Sequence, residues 1–228
     1  MTKNEILRDL RQKILNENYE QGESLIEREL CEFYEISRTP IREILWRLVL
    51  EGIVEQKPAR GFFVRKLGWE QIFDIFQTRE AVEGMAVRLT CQRGDAQIFE
   101  QLKDIKKQLT DLDDTDIDIG GPKWGRTFHD TVLEGSSNSL LKEIYQKVSY
   151  MAKMTSNIAR HSVSIESLSR DYHVSIIDAI LSGDPDKSEH LMREHLRTTC
   201  RGIIDTFYPQ VFVGQGRNGK STKGIGKR

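Results

Sequence analysis

Hydrophobic positions along the first third of the chain recur at helical spacing, then at strand spacing, and from residue 69 onward at helical spacing again. Lys3–Asn16 carries Ile6, Leu7, Leu10, Ile14 and Leu15 as one apolar stripe, which predicts an amphipathic helix. From Ser24 the pattern predicts two short helices joined by a tight turn, followed by a β-hairpin. Leu25, Ile26, Leu30 and Phe33 form the oily face of the first helix, and Ile41, Ile44, Leu45 and Leu48 that of the second. Ser37 or Thr39 can cap the second helix, Pro40 suits its first turn and Gly52 ends it. Ile53–Glu55 and Phe62–Val64 then read as paired strands around Lys57–Gly61.

Beyond Leu67–Gly68, a short linker, the periodicity predicts helices over Trp69–Arg93, Gln97–Asp113, Pro122–Leu133, Ser139–Arg160, Ile165–Ser182 and Pro185–Phe207. Asp111–Gly121 is acidic and reads as a flexible loop; it lacks the terminal glutamate of an EF-hand. An all-helical unit of this kind has no strand edges and can enclose a pocket between its helices.

The second short helix has one side to dock and one to present. Its polar face holds Arg38, Thr39, Arg42 and Arg47, and Arg60–Gly61 stand at the hairpin tip. Arginine reaches both guanine edges and phosphates, so this face suits the DNA major groove, while a glycine beside an arginine can lie against a phosphate or in the minor groove. Charge distribution agrees, although the net charge is only -1. Residues 17–35 carry seven acids against Arg28, whereas residues 37–66 carry seven bases against three acids, a local surplus of four.

These residues carry a resemblance. ERELCEFYEISRTPIRE, the following EG and then RGFFV resemble the winged helix-turn-helix of the GntR superfamily of bacterial transcription regulators. The resemblance implies that Arg28, Arg38, Thr39 and Arg42 occupy operator-contacting positions and that Gly61 is the wing tip. Ile44 stands where the family usually has alanine, and Trp46 at a commonly charged position. Further along, TREAVEGMAVRL, FHDTVLEGSSNSLL, DYHVSIIDAILSGD and MREHL resemble the FadR-type effector domain, often called FCD. The fold implied is mainly α: a winged helix-turn-helix over 1–67, an all-α bundle for effector binding and dimerisation over 69–208, and a disordered basic tail over 209–228.

Many FCD domains hold a divalent metal through one Asp and three His. By that match His129, His173 and His195 are the ligands, with Zn or Ni as the expected ion, and Gly125 stands where the Asp belongs. Taken alone, each histidine is more often a packed or surface residue than a ligand, and spacing cannot show that three separate helices converge. His190 and His195 are five apart, so at most one points inward. Arg79, at the family position in TREAVE, is the expected contact for an effector carboxylate; the competing reading is a surface ion pair with Glu83 at i+4.

The function expected is a regulator that binds a palindromic operator as a homodimer, with repression as the expected mode and an organic acid as the effector class. The alternative is a metalloenzyme on a three-histidine site, against which stands the absence of a general-base motif such as HExxH. The run Gly214–Ser221 satisfies the P-loop pattern, but only seven residues follow it, too few for the helix that a P-loop requires. No apolar run approaches the roughly 20 residues of a membrane span. Three scattered cysteines and no signal-peptide pattern lead to a cytoplasmic expectation.

Overall fold

The computed structural model describes residues 1–112 and 117–213, leaving aside the side chains of 117–119 and 212–213. The P-loop-like run and the basic extension beyond 213 lie outside the described residues, as does the acidic stretch 113–116.

The N-terminal unit is built from α1 (Lys3–Leu15), β1 (Ser24–Leu25), α2 (Glu27–Tyr34), α3 (Arg38–Leu50), β2 (Val54–Lys57) and β3 (Gly61–Val64). Thr2 caps α1 in a capping box with Glu5, which satisfies two otherwise unpaired amides. The expected apolar stripe of α1 is buried in full. It meets Ile41, Ile44, Leu45 and Leu48 of α3, all nearly inaccessible to solvent. Arg11 binds Glu51 through two hydrogen bonds of 2.6 and 2.7 Å, tying α1 to the C-terminal end of α3. The hairpin pairs Val54 with Val64 and Lys57 with Gly61, and its turn uses positive φ at Ala59 (59°) and Gly61 (95°).

Three local expectations differ from what is observed. Leu25 is buried in a strand, pairing with Phe62 on the free edge of β3, so the sheet has order β1-β3-β2. Ile26 and Phe33 are exposed, because α2 starts later than expected and turns Leu30 and Tyr34 inward instead. Tyr34 donates to Asp9 Oδ2 at 2.7 Å, so a polar tip on an apolar ring serves the core where Phe33 does not. Ser37 is the N-cap residue of α3 but makes no side-chain capping bond.

The remaining chain is α4 (Trp69–Arg93), α5 (Ala96–Thr110), α6 (Ile117–Gly135), α7 (Ser139–Ala159), α8 (Val163–Leu181), α9 (Pro185–Phe207) and the short α10 (Gln210–Val213). Residues 210–213 are thus helical, where a disordered tail was expected from 209. Helix α6 also begins before Pro122 and runs through Gly120–Gly121, which were expected in a loop. The reason is packing: a Cβ on Gly120 would stand 2.4 Å from Leu112 Cδ2, so glycine lets α6 pass close to the end of α5. Helix α4 is the centre of this unit, buried along most of its length against α9, α6 and α7.

The two units are joined by more than the chain. Leu67, expected in a linker, is buried, and its carbonyl accepts from Tyr208 Oη at 2.7 Å. Helix α7 leans on α1: Asn157 Nδ2 donates to the Leu15 carbonyl at 2.9 Å, Lys153 Nζ to Asn16 Oδ1 at 3.2 Å, and Arg160 pairs with Glu17. Among the described residues no helix is long and apolar enough to cross a membrane.

Candidate metal and effector site

Three helices of the bundle each contribute one histidine to a common point. His129 from α6, His173 from α8 and His195 from α9 are buried, and their ligand nitrogens lie within 4.8 Å of one another. His173 Nε2 stands 3.3 Å from His129 Nε2 and 3.1 Å from His195 Nε2. Nitrogens sharing one Zn ion at about 2.0–2.1 Å are themselves about 3.3 Å apart at the tetrahedral angle, so both spacings through His173 match a shared metal. Protein groups alone leave it poorly satisfied. Burial and the charges around them hold His173 and His195 well below the ordinary imidazole value, so both rings are neutral. His173 Nε2 offers either one N–H or one lone pair, so it can make a regular hydrogen bond to only one of its two neighbours, and the other contact is left unsatisfied. Phe128, fully buried, packs on the rings of His129 and His173 and limits their rotation.

Beside the cluster runs a buried charge relay from α4. Arg79 Nε donates to Glu83 Oε1 at 2.6 Å, and Arg79 Nη2 reaches to 3.4 Å from His129 Nε2. Glu83 Oε2 lies 2.5 Å from His129 Nδ1, close in distance though without the alignment of a regular hydrogen bond. The i+4 pair of Arg79 and Glu83 therefore forms, but with 5% and 0% of the side chains exposed it belongs to the core and not to the surface. Burial alone would push the Glu83 carboxyl up; the Arg79 guanidinium and His129 outweigh it and bring it down to about 2. A metal-ligating histidine commonly hands its second nitrogen to a carboxylate in this way. Sequence reasoning missed Glu83 in this role. The available signal was that its neighbours Val82, Ala86 and Val87 make α4 apolar on several faces, where a charge survives only in a pair.

Gly125 faces the same cluster. A Cβ there would lie 2.8 Å from His173 Cε1 and 3.4 Å from its Nδ1, so the His173 ring occupies the approach that a side chain at 125 would need. His173 Nδ1 is buried without a partner. Asp130 lines the cavity but stays outside the cluster, and His190 and His161 are exposed.

A cavity of about 280 Å³ opens beside the histidines. Arg79, Tyr145, Glu166 and Thr199 line it, Arg126 and Lys153 bring positive charge, and Gln12 and Leu15 of α1 close one side. Burial and the neighbouring Arg126 bring the Lys153 ammonium down to about 8. Arg79 apart, these lining residues were not singled out as site residues in the sequence, because nothing in α1 or α7 marks which turns meet across the two units.

The DNA-facing candidates are placed apart from this cavity. Arg28, Arg38, Thr39, Arg42, Arg47 and Arg60 are all exposed, and a Cβ at Gly61 would meet nothing within 4 Å. Arg42 Nε lies 3.4 Å from Glu27 Oε1 and Arg28 Nε 3.9 Å from Glu32 Oε1, loose surface pairs that a phosphate can replace.

Comparison with known proteins covers both units. Residues 2–64 match the family described as bacterial regulatory proteins, gntR family, and residues 74–198 match the FCD domain. The chain is 28% identical over 208 residues to the Nta operon transcriptional regulator of Aminobacter aminovorans, spanning 90% of this chain and 96% of that protein. It is 27% identical to the HTH-type transcriptional repressor GlaR of Escherichia coli (strain K12), over 83% and 90% of the two chains. Among solved structures, a putative transcriptional regulator GntR from Rhodococcus sp. RHA1 superposes with a TM-score of 0.78 at 19% identity, covering 90% of this chain and 98% of that one. E. coli McbR/YncC gives 0.72 at 20% identity, over 91% and 100%. At such identities the structural likeness speaks for the fold.

Proposed function

The chain belongs to the GntR family of bacterial regulatory proteins, with an FCD domain behind its DNA-binding domain, and from that premise we propose how this regulator is controlled. It is a DNA-binding transcription regulator and not an enzyme. In our reading it acts in the cytoplasm as a homodimer on a palindromic operator, one winged unit (1–67) per half-site, and represses. Arg38, Thr39, Arg42 and Arg47 meet the major groove, Arg28 supports them, and Arg60 with Gly61 lies along the backbone or minor groove.

The effector is a small carboxylate bound in the helical unit (69–208), and the observation that carries this reading is the meeting of three buried histidines with Arg79 in one cavity. A divalent ion, Zn or Ni, on His129, His173 and His195 supplies positive charge and open coordination positions. Arg79 and Glu83 cancel one another, and Gly125 contributes no anion. The two charges of the ion are therefore not compensated by its ligand set, and an incoming carboxylate offsets one of them.

Coupling to DNA follows from the cavity wall. Because Gln12 and Leu15 border the cavity and α7 grips the end of α1, a ligand that reorders α7 biases the placement of the winged unit. His173→Ala tests this: operator affinity, followed by fluorescence anisotropy, stays within about twofold while release by carboxylates is lost. Full release by the same carboxylates in that variant places the effector elsewhere.

A further inference from the structure

The described residues contain two buried glutamates, and they differ in company. Glu83 is bracketed by Arg79 and His129, whereas Glu166, with 6% of its surface exposed, has no hydrogen bond or ion pair to its carboxyl group among the described residues. Burial alone pushes the Glu166 carboxyl up to about 7, with no charged neighbour contributing. Acids are almost never fully buried unless paired, so an unpaired one in a cavity wall marks a place for a ligand.

Its position says which part of a ligand. Glu166 lies on α8 seven residues before His173, with Ser169 between them on the same face, and all three border the cavity. Seven helical residues span about 10 Å. Ser169 Oγ meets Thr199 Oγ1 at 3.3 Å, and Thr199 Oγ1 lies 3.5 Å from His195 Nδ1. A polar track thus connects the histidine end to Glu166 along one wall. Arg126, Lys153 and an ion held by the histidines attract an anion, while Glu166, like Asp130, offers the opposite charge.

We propose that Glu166 is the second anchor of the effector site and binds a cationic nitrogen, so that the effector is a zwitterion with a carboxylate and an ammonium group joined by a short alkyl spacer. This rests on the carboxylate reading given above. An N–H donor carrying positive charge is the strongest complement to a buried carboxylate, and the helix span, less the inward reach of the two side chains, leaves room for a few methylenes.

The test is calorimetric titration of the full chain, loaded with zinc, at pH 8. The probes are 4-aminobutyrate, 5-aminopentanoate and 6-aminohexanoate, each paired with the unsubstituted carboxylate of the same chain length. Expected is at least one ω-amino acid binding about 10- to 100-fold tighter than its plain partner. E166Q should erase that difference, whereas E166D, which keeps the charge on a shorter arm, should retain part of it. Thermal melts establish that each variant is folded. Plain carboxylates that bind without any gain from the amino group overturn the role of Glu166 alone, as does a gain that survives in E166Q. Binding of neither probe class to the wild-type chain overturns this inference together with the carboxylate reading.

Discussion

Replacing Glu83 with glutamine keeps the shape of the side chain and removes its charge, which leaves Arg79 cationic with 5% of its side chain exposed. Two routes lead to the same magnitude. The carboxyl falls from its ordinary 4.5 to about 2 in the folded protein, which at about 1.4 kcal/mol per tenfold corresponds to about 3 kcal/mol. Independently, breaking a buried ion pair by removing one partner costs about 3–5 kcal/mol. For a chain of this size each kcal/mol lowers Tm by about 2–4 °C, so Glu83→Gln should melt about 6–12 °C below wild type at pH 7.5 in the presence of a chelator. Because the folded value lies below the ordinary one, this stabilisation is complete above about pH 4.5 and fades as the pH falls toward 2. The gap between wild type and variant should narrow over that window. Zinc affinity should drop about 10- to 100-fold in the variant, since His129 loses the carboxylate at its second nitrogen. Thermal melts by circular dichroism and zinc competition with a chromophoric chelator read both effects. A Glu83→Gln chain that melts within about 2 °C of wild type at pH 7.5 would refute the buried relay.

Arg42→Ala should weaken operator binding by about 1–3 kcal/mol with an unchanged melting curve, because the residue is 59% exposed and supports no core contact; unchanged affinity by anisotropy would remove Arg42 from the interface. Gly125→Asp should tighten zinc binding by adding an anionic donor, yet lower the stability of the metal-free chain, since its Cβ meets His173 at 2.8 Å; chelator competition and melts together decide this. Asn157→Ala removes the donor to the Leu15 carbonyl and should cost about 1 kcal/mol of stability while blunting the effector's influence on DNA binding. A full effector response in Asn157→Ala, followed as carboxylate-driven release from operator DNA, would show that α1 is not on the route.

The reach of the sequence differs from residue to residue. Trp69–Arg93 and Pro185–Phe207 were legible to their ends, because a helical period with glycine, aspartate and proline punctuation is local information. The arginines of α3 and the three histidines were legible as residue types in motifs. Leu25 was assigned to a helix because a two-residue strand has no period of its own, and it exists only where the edge of β3 receives it. Gly120 was assigned to a loop because its reason for being glycine is Leu112, just beyond the end of α5.

The chain's amino-acid order determined by itself where most of the long helices run and which face of α3 is basic, since both follow from spacing within one element, and its motifs named the histidines that are candidates for a shared ligand. Only the tertiary structure decided that His129, His173 and His195 meet, that Glu83 is a buried partner where a surface pair was expected, and that Glu166 faces a cavity closed by α1. Convergence and burial are set by how separate helices pack, and the packing of α4, α6, α7, α8 and α9 is a property of all their faces at once.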